Sequence, residues 1–207
     1  FILVPYWADI VRDRAFPNRY SKYHKSNWHY SDTFWRQVDG KAQLITDRKG
    51  DGLGVAKLIE FDAVMRSDKA AAAEKALAIA WFLHIGGDLH QPLHTSGRHT
   101  EREPEGDRGG NLFVLTTEST PAQDQLNLHW YWDSIVGRNV PMIPGHCEED
   151  YIRSVAESMM LRHPVGSLSG LSLGQYVDWQ AESFRLANTE VFRADLVRFG
   201  LMTAIVL

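Results

Sequence analysis

The chain has 207 residues, a net charge of −4, 44% hydrophobic and 23% charged residues, and a single cysteine. That is an ordinary globular composition with enough residues for one well-packed core. It excludes a membrane-spanning run, an intrachain disulfide, and the basic excess with which proteins clamp duplex nucleic acid. An anionic substrate stays open, because bound metal ions supply positive charge that a residue count misses.

Taken in order, FILVPYWADIVRD reads as the tail of a helix ending near Asp13, as though native residues preceded Phe1. A polar, Tyr/Trp-rich stretch from Phe16 to Thr46 reads as extended and carries His24, His29 and Asp32. Gly50, Gly52 and Gly54 break the chain before a helix from about Val55 to Met65. Ser67 suits the N-cap of a long helix, with Asp68 in its first turn, the alanine run Ala70 to Ala73 behind it and an end before Pro92. Thr95 to Gly110 reads as a charged loop, and Asn111 to Thr116 (NLFVLT) as the best strand candidate. A helix bearing His129 and Asp133 follows, then helices over Glu148 to Arg162 and Leu173 to about Phe192. The ending LVRFGLMTAIVL suits a final helix. With no internal repeat and no linker, the expected fold is mostly α: one domain over residues 1–207, a helical bundle with a short β segment.

Two His–Asp pairs carry the chemistry. WFLHIGGDLHQPLH holds His84, Asp88 and His94, and NLHWYWD holds His129 and Asp133. Helical residues four apart share a face with Cβ atoms about 5–6 Å apart, so each pair can offer an imidazole and a carboxylate to one metal ion or to two neighbouring ions. Those are the ligands zinc accepts besides thiolate, and the lone Cys147 cannot build a thiolate site. His84 and Asp88 lie on an apolar helix face with Leu77, Ala80, Trp81 and Leu83, where a buried aspartate is costly unless paired or metal-bound. A core His–Asp hydrogen bond accounts for one such pair. Two pairs plus His94, with Gly86 and Gly87 allowing close approach, point instead to a metal cluster and metal-assisted hydrolysis. His90 faces another side of its helix, and His99, His146 and His163 read as surface residues.

Further candidates lie on either side. Asp9 and Arg12, three apart, read as an exposed ion pair or, given Trp7 and the apolar surroundings, as a buried couple. In NWHYSD, His29 stands between Trp28 and Tyr30 with Asp32 close by, and His24 competes with it. The glycines of DRGGN suit a loop passing close to the cluster, with Asp107 or Asn111 pointing inwards. The chain has no phosphate-binding glycine loop with its Lys and Ser/Thr, and no G-x-S-x-G elbow.

In sequence order, WADIVR (Trp7 to Arg12), WHYSD, HIGGDLHQPLH, GDRGGN and NLHWYWD resemble the zinc-dependent, single-strand-specific nucleases of fungi, plants and bacteria, the type I nucleases or 3′-nucleotidases. The resemblance covers about the first 135 residues and continues in YVDWQAESFRLA. It implies a helical bundle whose cleft holds three zinc ions. Asp9, His29, His84 and Asp88 would hold one, and His94, His129 and Asp133 a second. Asp88 would also bridge to a third, whose other family ligands, an N-terminal Trp and a nearby His, have no counterpart before Asp9. The implied reaction is metal-assisted hydrolysis of phosphodiesters in single-stranded DNA or RNA to 5′-nucleotides, together with 3′-nucleotidase activity. Asp88, Arg12 and Asp32 would be catalytic, Arg12 steadying the transition-state phosphate and Asp32 orienting it. Tyr30 would stack a base, and Asn111 would contact substrate. The family is exported, so a periplasmic or secreted place is implied, with no membrane insertion and no obligate protein partner. The related zinc-dependent phospholipases C carry a glutamate where Asp133 stands and lack the role of Arg12. A non-catalytic metal- or nucleotide-binding relative is the other alternative.

Overall fold

A computed structural model describes residues 3–117, 119–140, 142, 144–168 and 174–193. The final helix expected over LVRFGLMTAIVL lies outside these residues. The helices are α1 (Trp7–Ile10), α2 (Pro17–Tyr23), α3 (Gly54–Arg66), α4 (Ala72–Asp88), α5 (Leu128–Asp133), α6 (Ile135–Asn139), α7 (Glu148–Arg162) and α8 (Tyr176–Leu186). The strands are β1 (Thr33–Val38), β2 (Lys41–Leu44) and β3 (Ser96–His99), in one sheet of order β2-β1-β3. The protein is mostly α with a small sheet, as its sequence implies.

Two apolar clusters flank the region that matters. In the first, α3 and α4 pack through Leu58, Phe61, Ala78, Trp81 and Ile85, joined by Leu89 and by Ala8 from α1. Full burial of such Leu and Ile side chains stabilises by about 1.5–3 kcal/mol each. The second gathers Trp35, Leu93, Leu128, Val191 and Phe192. Trp35 donates its indole N–H to Ser96 Oγ at 2.8 Å, which fastens β1 to β3 inside that core. Gln180 on α8 donates to the Ser31 carbonyl at 2.6 Å and so holds the segment after His29 in place.

Several boundaries differ from the sequence reading. Only Trp7–Ile10 of the N-terminal segment is helical; the described residues around it form turns. The stretch expected to be extended from Phe16 to Thr46 contains α2, begun by Pro17 in its first turn, and a 3-10 turn at Ser26–Trp28. It then forms a β1–β2 hairpin in which Val38 pairs with Lys41. Asp39 and Gly40 both take positive φ there (51° and 75°), the primed-turn conformation that Asp-Gly favours. Ser67 closes α3 instead of opening α4. The start of α4 is fixed by Glu74, whose carboxylate accepts from the Ala71 N–H at 2.9 Å.

The charged loop after Thr95 includes β3, parallel to β1. Its sequence, Ser-Gly-Arg-His, has little strand propensity. Gly97 permits it, because a Cβ there would lie 2.6 Å from the Phe34 ring. NLFVLT, conversely, forms turns and one isolated bridge, Val114 with Asn127. Positive φ at Arg108, Gly109 and Gly110 turns the chain just before it, and Phe113 and Leu115 pack on the second core without a strand beside them. Of the helix expected from Leu173 to about Phe192, Leu173 lies outside the described residues, α8 runs from Tyr176 to Leu186, and a π turn follows over Ala187–Val191.

Candidate metal centre

Helix α4 presents His84 and Asp88 on one face, and Pro92 turns the chain so that His94 comes back towards them. Asp88 Oδ2 lies 3.1 Å from His29 Nδ1 and 3.0 Å from His84 Nε2, and its Oδ1 lies 4.0 Å from His94 Nδ1. Helix α5 brings His129 Nε2 to 3.6 Å from Asp133 Oδ2, with His94 Nε2 3.4 Å from Asp133 Oδ1. Two groups could each hold a metal ion: Asp9, His29 and His84, and His94, His129 and Asp133, with ligand atoms in each within 4.8 Å of one another. Asp88 stands between them.

The donor chemistry fits such ions. His84 Nδ1 bonds to the Pro5 carbonyl (2.9 Å), His94 Nδ1 to the His29 carbonyl (2.6 Å) and His129 Nδ1 to the Gly109 carbonyl (2.7 Å). An imidazole that donates from one nitrogen to a carbonyl is oriented and keeps the other nitrogen's lone pair for a metal. In all three, the remaining Nε2 is the atom aimed at the carboxylates. His29 instead turns Nδ1 inwards, and its Nε2 is buried without a hydrogen-bond partner.

The ionisation states follow from this crowding. Burial alone would raise Asp88, but hydrogen bonds from His29 and His84 hold its carboxyl well below the usual range. Burial lowers His94, yet its bond to Asp133 and the charge of Asp88 win and raise it to about 9. His84 is also raised, against burial, by Asp88 and Asp9. Burial and the neighbouring His94 lower His129, whereas bonds from His94 and Gln91 lower Asp133 against burial.

These residues border an open cleft of about 1110 Å³, which Asp9, Arg12, His29, Tyr30, Asp32, Asp88, His94, Asn111, His129 and Asp133 all line. His84 lies behind the wall and reaches the cluster through Asp88 and His29. The Asp9–Arg12 couple is the exposed pair and not the buried one: Arg12 Nη1 stands 3.1 Å from Asp9 Oδ1, with side chains 59% and 39% exposed. One helical turn at the protein surface cannot cover both. Arg12 pairs there with Asp9 and makes no hydrogen bond or ion pair with Asp32 among the described residues. Asp32 is raised to about 8 by burial and by Asp107 and Asp51, against the pull of His94, and its Oδ1 has no partner. The Tyr30 hydroxyl donates to Asp51 Oδ2 at 3.2 Å, which fixes its ring at the cleft; burial and Asp51 raise it to about 12. Asn111 donates to the Arg108 carbonyl at 2.8 Å.

Other expectations change. Asp107 turns away from the cluster, its Oδ1 accepting from the Arg98 N–H at 3.0 Å and its Oδ2 facing the Arg98 guanidinium at 3.6 Å. A Cβ on Gly86 or Gly87 would meet no other part of the chain within 4 Å, and Gly87 lines the cleft. His24 stacks on Tyr20 and belongs to neither ligand group. Gln91 was missed by the sequence reading: it donates to Asp133 Oδ1 at 2.7 Å and accepts from the Leu93 N–H at 2.6 Å. The signal was there, since a polar residue just before Pro92 caps the turn that brings His94 round.

A mostly helical chain with His/Asp groups able to hold metal ions on the wall of an open cleft has the frame of a metal-assisted hydrolase. More particularly, the family model for S1/P1 nuclease matches residues 1–197, and the chain belongs to that family. Membership makes it a hydrolase of phosphoester bonds with nucleic acid as substrate. A comparison with curated proteins found no match. Among the described residues, no helix is long and apolar enough to cross a membrane.

Proposed function

We propose that the protein is a zinc-dependent phosphodiesterase that cleaves single-stranded DNA and RNA to 5′-nucleotides and also removes 3′-phosphates, with residues 1–207 acting as one domain. The observation that carries this reading is the pair of His/Asp groups bracketing Asp88 at the cleft. Asp9, His29, His84 and Asp88 would hold one zinc, and His94, His129 and Asp133 another, through nitrogen and carboxylate donors that zinc prefers when thiolate is absent. Asp88, whose carboxylate faces His29, His84 and His94, would be held in common by the two groups. Bound zinc supplies Lewis acidity and a water whose pKa falls to about 7.

The chain's own residues do the rest. Arg12 stands exposed at the cleft edge with five N–H donors, suited to a phosphate whose charge grows in the transition state. Its partner Asp9 keeps the guanidinium beside the ligand group. Asp32, buried next to the cleft, orients the phosphate-binding groups by resemblance. Tyr30 offers a ring to a base. Stacking is indifferent to sequence but needs an unpaired base, which accounts for preference for single strands without a duplex-sized basic groove. Asn111 supplies an amide at the cleft. A periplasmic or secreted site of action agrees with this reading and rests on the resemblance alone.

The test is hydrolysis of single-stranded DNA before and after chelation, then with zinc restored. Loss and recovery of activity with zinc supports the proposal. A folded, zinc-loaded protein inactive on DNA, RNA and 3′-nucleotides refutes it and leaves a relative that binds without turnover.

A further inference from the structure

The strongest charge feature outside the metal centre lies beside it. Residues 12–25 carry five Lys/Arg against one acid, Asp13, within a chain of net charge −4. Aromatic side chains are interleaved with these cations. The Arg19 guanidinium lies 4.3 Å from the centroid of the Phe16 ring, Arg14 lies 5.5 Å from that of Tyr20, and the Lys22 ammonium 4.9 Å from that of Tyr23. Phe16 is 55% exposed, too much for a core residue of its size. Two of the cations are engaged by acids, Arg19 with Asp13 (3.8 Å) and Arg12 with Asp9 (3.1 Å). Arg14, Lys22 and Lys25 form no ion pair among the described residues.

This segment is fixed to the site at both ends. Tyr23 packs edge-on against Trp7 of α1, the helix that carries Asp9, at 5.2 Å between ring centroids. Arg12 before the segment and Ser26 after it both line the cleft. The basic aromatic segment therefore leaves the cleft wall at Arg12 and rejoins it at Ser26. Proteins that hold single strands without sequence preference combine cations that track the phosphates with aromatic faces that take the bases.

We propose that residues 14–25 form an extended substrate site that carries a single strand beyond the cleft, its phosphates on Arg14, Lys22 and Lys25 and a base against Phe16. This inference rests on the nuclease reading above. An anionic membrane would attract the same cations, but the continuity with the cleft through Arg12 and Ser26 favours the substrate's own chain.

The test compares wild type with the triple variant Arg14→Gln, Lys22→Gln, Lys25→Gln, which leaves Arg12 and every candidate ligand in place. Substrates are a dinucleotide and a single-stranded oligonucleotide of about 12 nucleotides. Binding of the labelled oligonucleotide to chelator-treated protein is measured alongside. The expected result is an oligonucleotide KM raised about tenfold, the yield of three exposed ion pairs, with kcat and both dinucleotide constants unchanged. The dependence of log binding on log salt should become shallower by about 2, at roughly 0.7 per phosphate contact. Phe16→Ala should weaken oligonucleotide binding without altering that slope. Unchanged KM and unchanged binding for the oligonucleotide overturn the proposal while the nuclease reading stands. If wild type cleaves neither substrate, the nuclease reading fails, and equal oligonucleotide binding by the two chelated proteins then overturns the extended site as well. Loss of binding to phosphatidylserine vesicles with unchanged oligonucleotide KM assigns the face to membranes and also overturns it.

Discussion

Gly109→Ala tests whether the loop after α4 sets the second group of candidate ligands. Gly109 has φ +61°, and a Cβ there would stand 2.4 Å from the Leu93 carbonyl oxygen and 3.2 Å from His129 Nδ1. Left-handed backbone with a Cβ costs about 1–2 kcal/mol by itself. The overlap adds to this, because Leu93 is buried in the second core and its carbonyl is main chain that cannot swing aside. Relief must come from Gly109, whose own carbonyl is the acceptor for His129 at 2.7 Å. Loss of such an orienting partner weakens metal binding by about 10–100-fold. The variant, freed of metal, should therefore lose at least about 1–2 kcal/mol in urea unfolding. Competition with a chromophoric chelator should show zinc binding weakened most at the candidate site of His94, His129 and Asp133, with that of Asp9, His29 and His84 affected only through its coupling to the first. A folded variant with an unmoved urea midpoint and two unmoved affinities refutes the reasoning.

Asp88→Asn should abolish turnover and lower bound zinc, since its carboxylate faces His29, His84 and His94; near-normal kcat would sink the ligand assignment. Tyr30→Ala should raise KM for single strands while zinc content, measured by atomic absorption, stays constant; loss of metal would make Tyr30 structural instead. In the metal-free protein, His94 is raised to about 9 and Asp32 to about 8, so both bind protons more tightly folded than unfolded. Their stabilisation is complete below the unfolded values, about 6.5 for His and 4 for Asp, and is lost as pH rises through 9 and 8. The urea midpoint of metal-free protein should thus fall between pH 6.5 and 9, and zinc loading within that window should release protons to a pH indicator. A flat midpoint with no proton release contradicts the assigned His94 environment.

The helices were legible wherever one physical signal acted alone. Glu148–Arg162 forms as read, and α4 ends before Pro92 because proline cannot continue it. The spacing of His84, Asp88, His129 and Asp133 was legible for the same reason, since a helix converts sequence distance directly into position. What stayed hidden was settled between distant segments. Strand β3 exists because β1 is available beside it and Gly97 makes room for Phe34, neither of which Ser-Gly-Arg-His announces. NLFVLT has the propensity but no partner strand. Ser67 was a fair cap by type, but Glu74 caps the later start at Ala71. Exposure of the Asp9–Arg12 couple depended on how short α1 would be, which apolar neighbours in sequence could not reveal. The cap that Gln91 provides before Pro92 was legible, but its bond to Asp133, 42 residues away, was not.

The bond from His94 to the main-chain oxygen of His29 joins a side chain of one candidate metal group to the peptide that carries a member of the other. Filling either place would steady the peptide on which the other depends, and such coupling is reciprocal, so whatever one ion gains from this bond the other gains equally. Native mass spectrometry across a zinc titration should accordingly show few molecules with a single ion. Where metal is scarce, a population would then divide into filled and empty molecules, and starvation would remove working copies one by one without slowing those that remain.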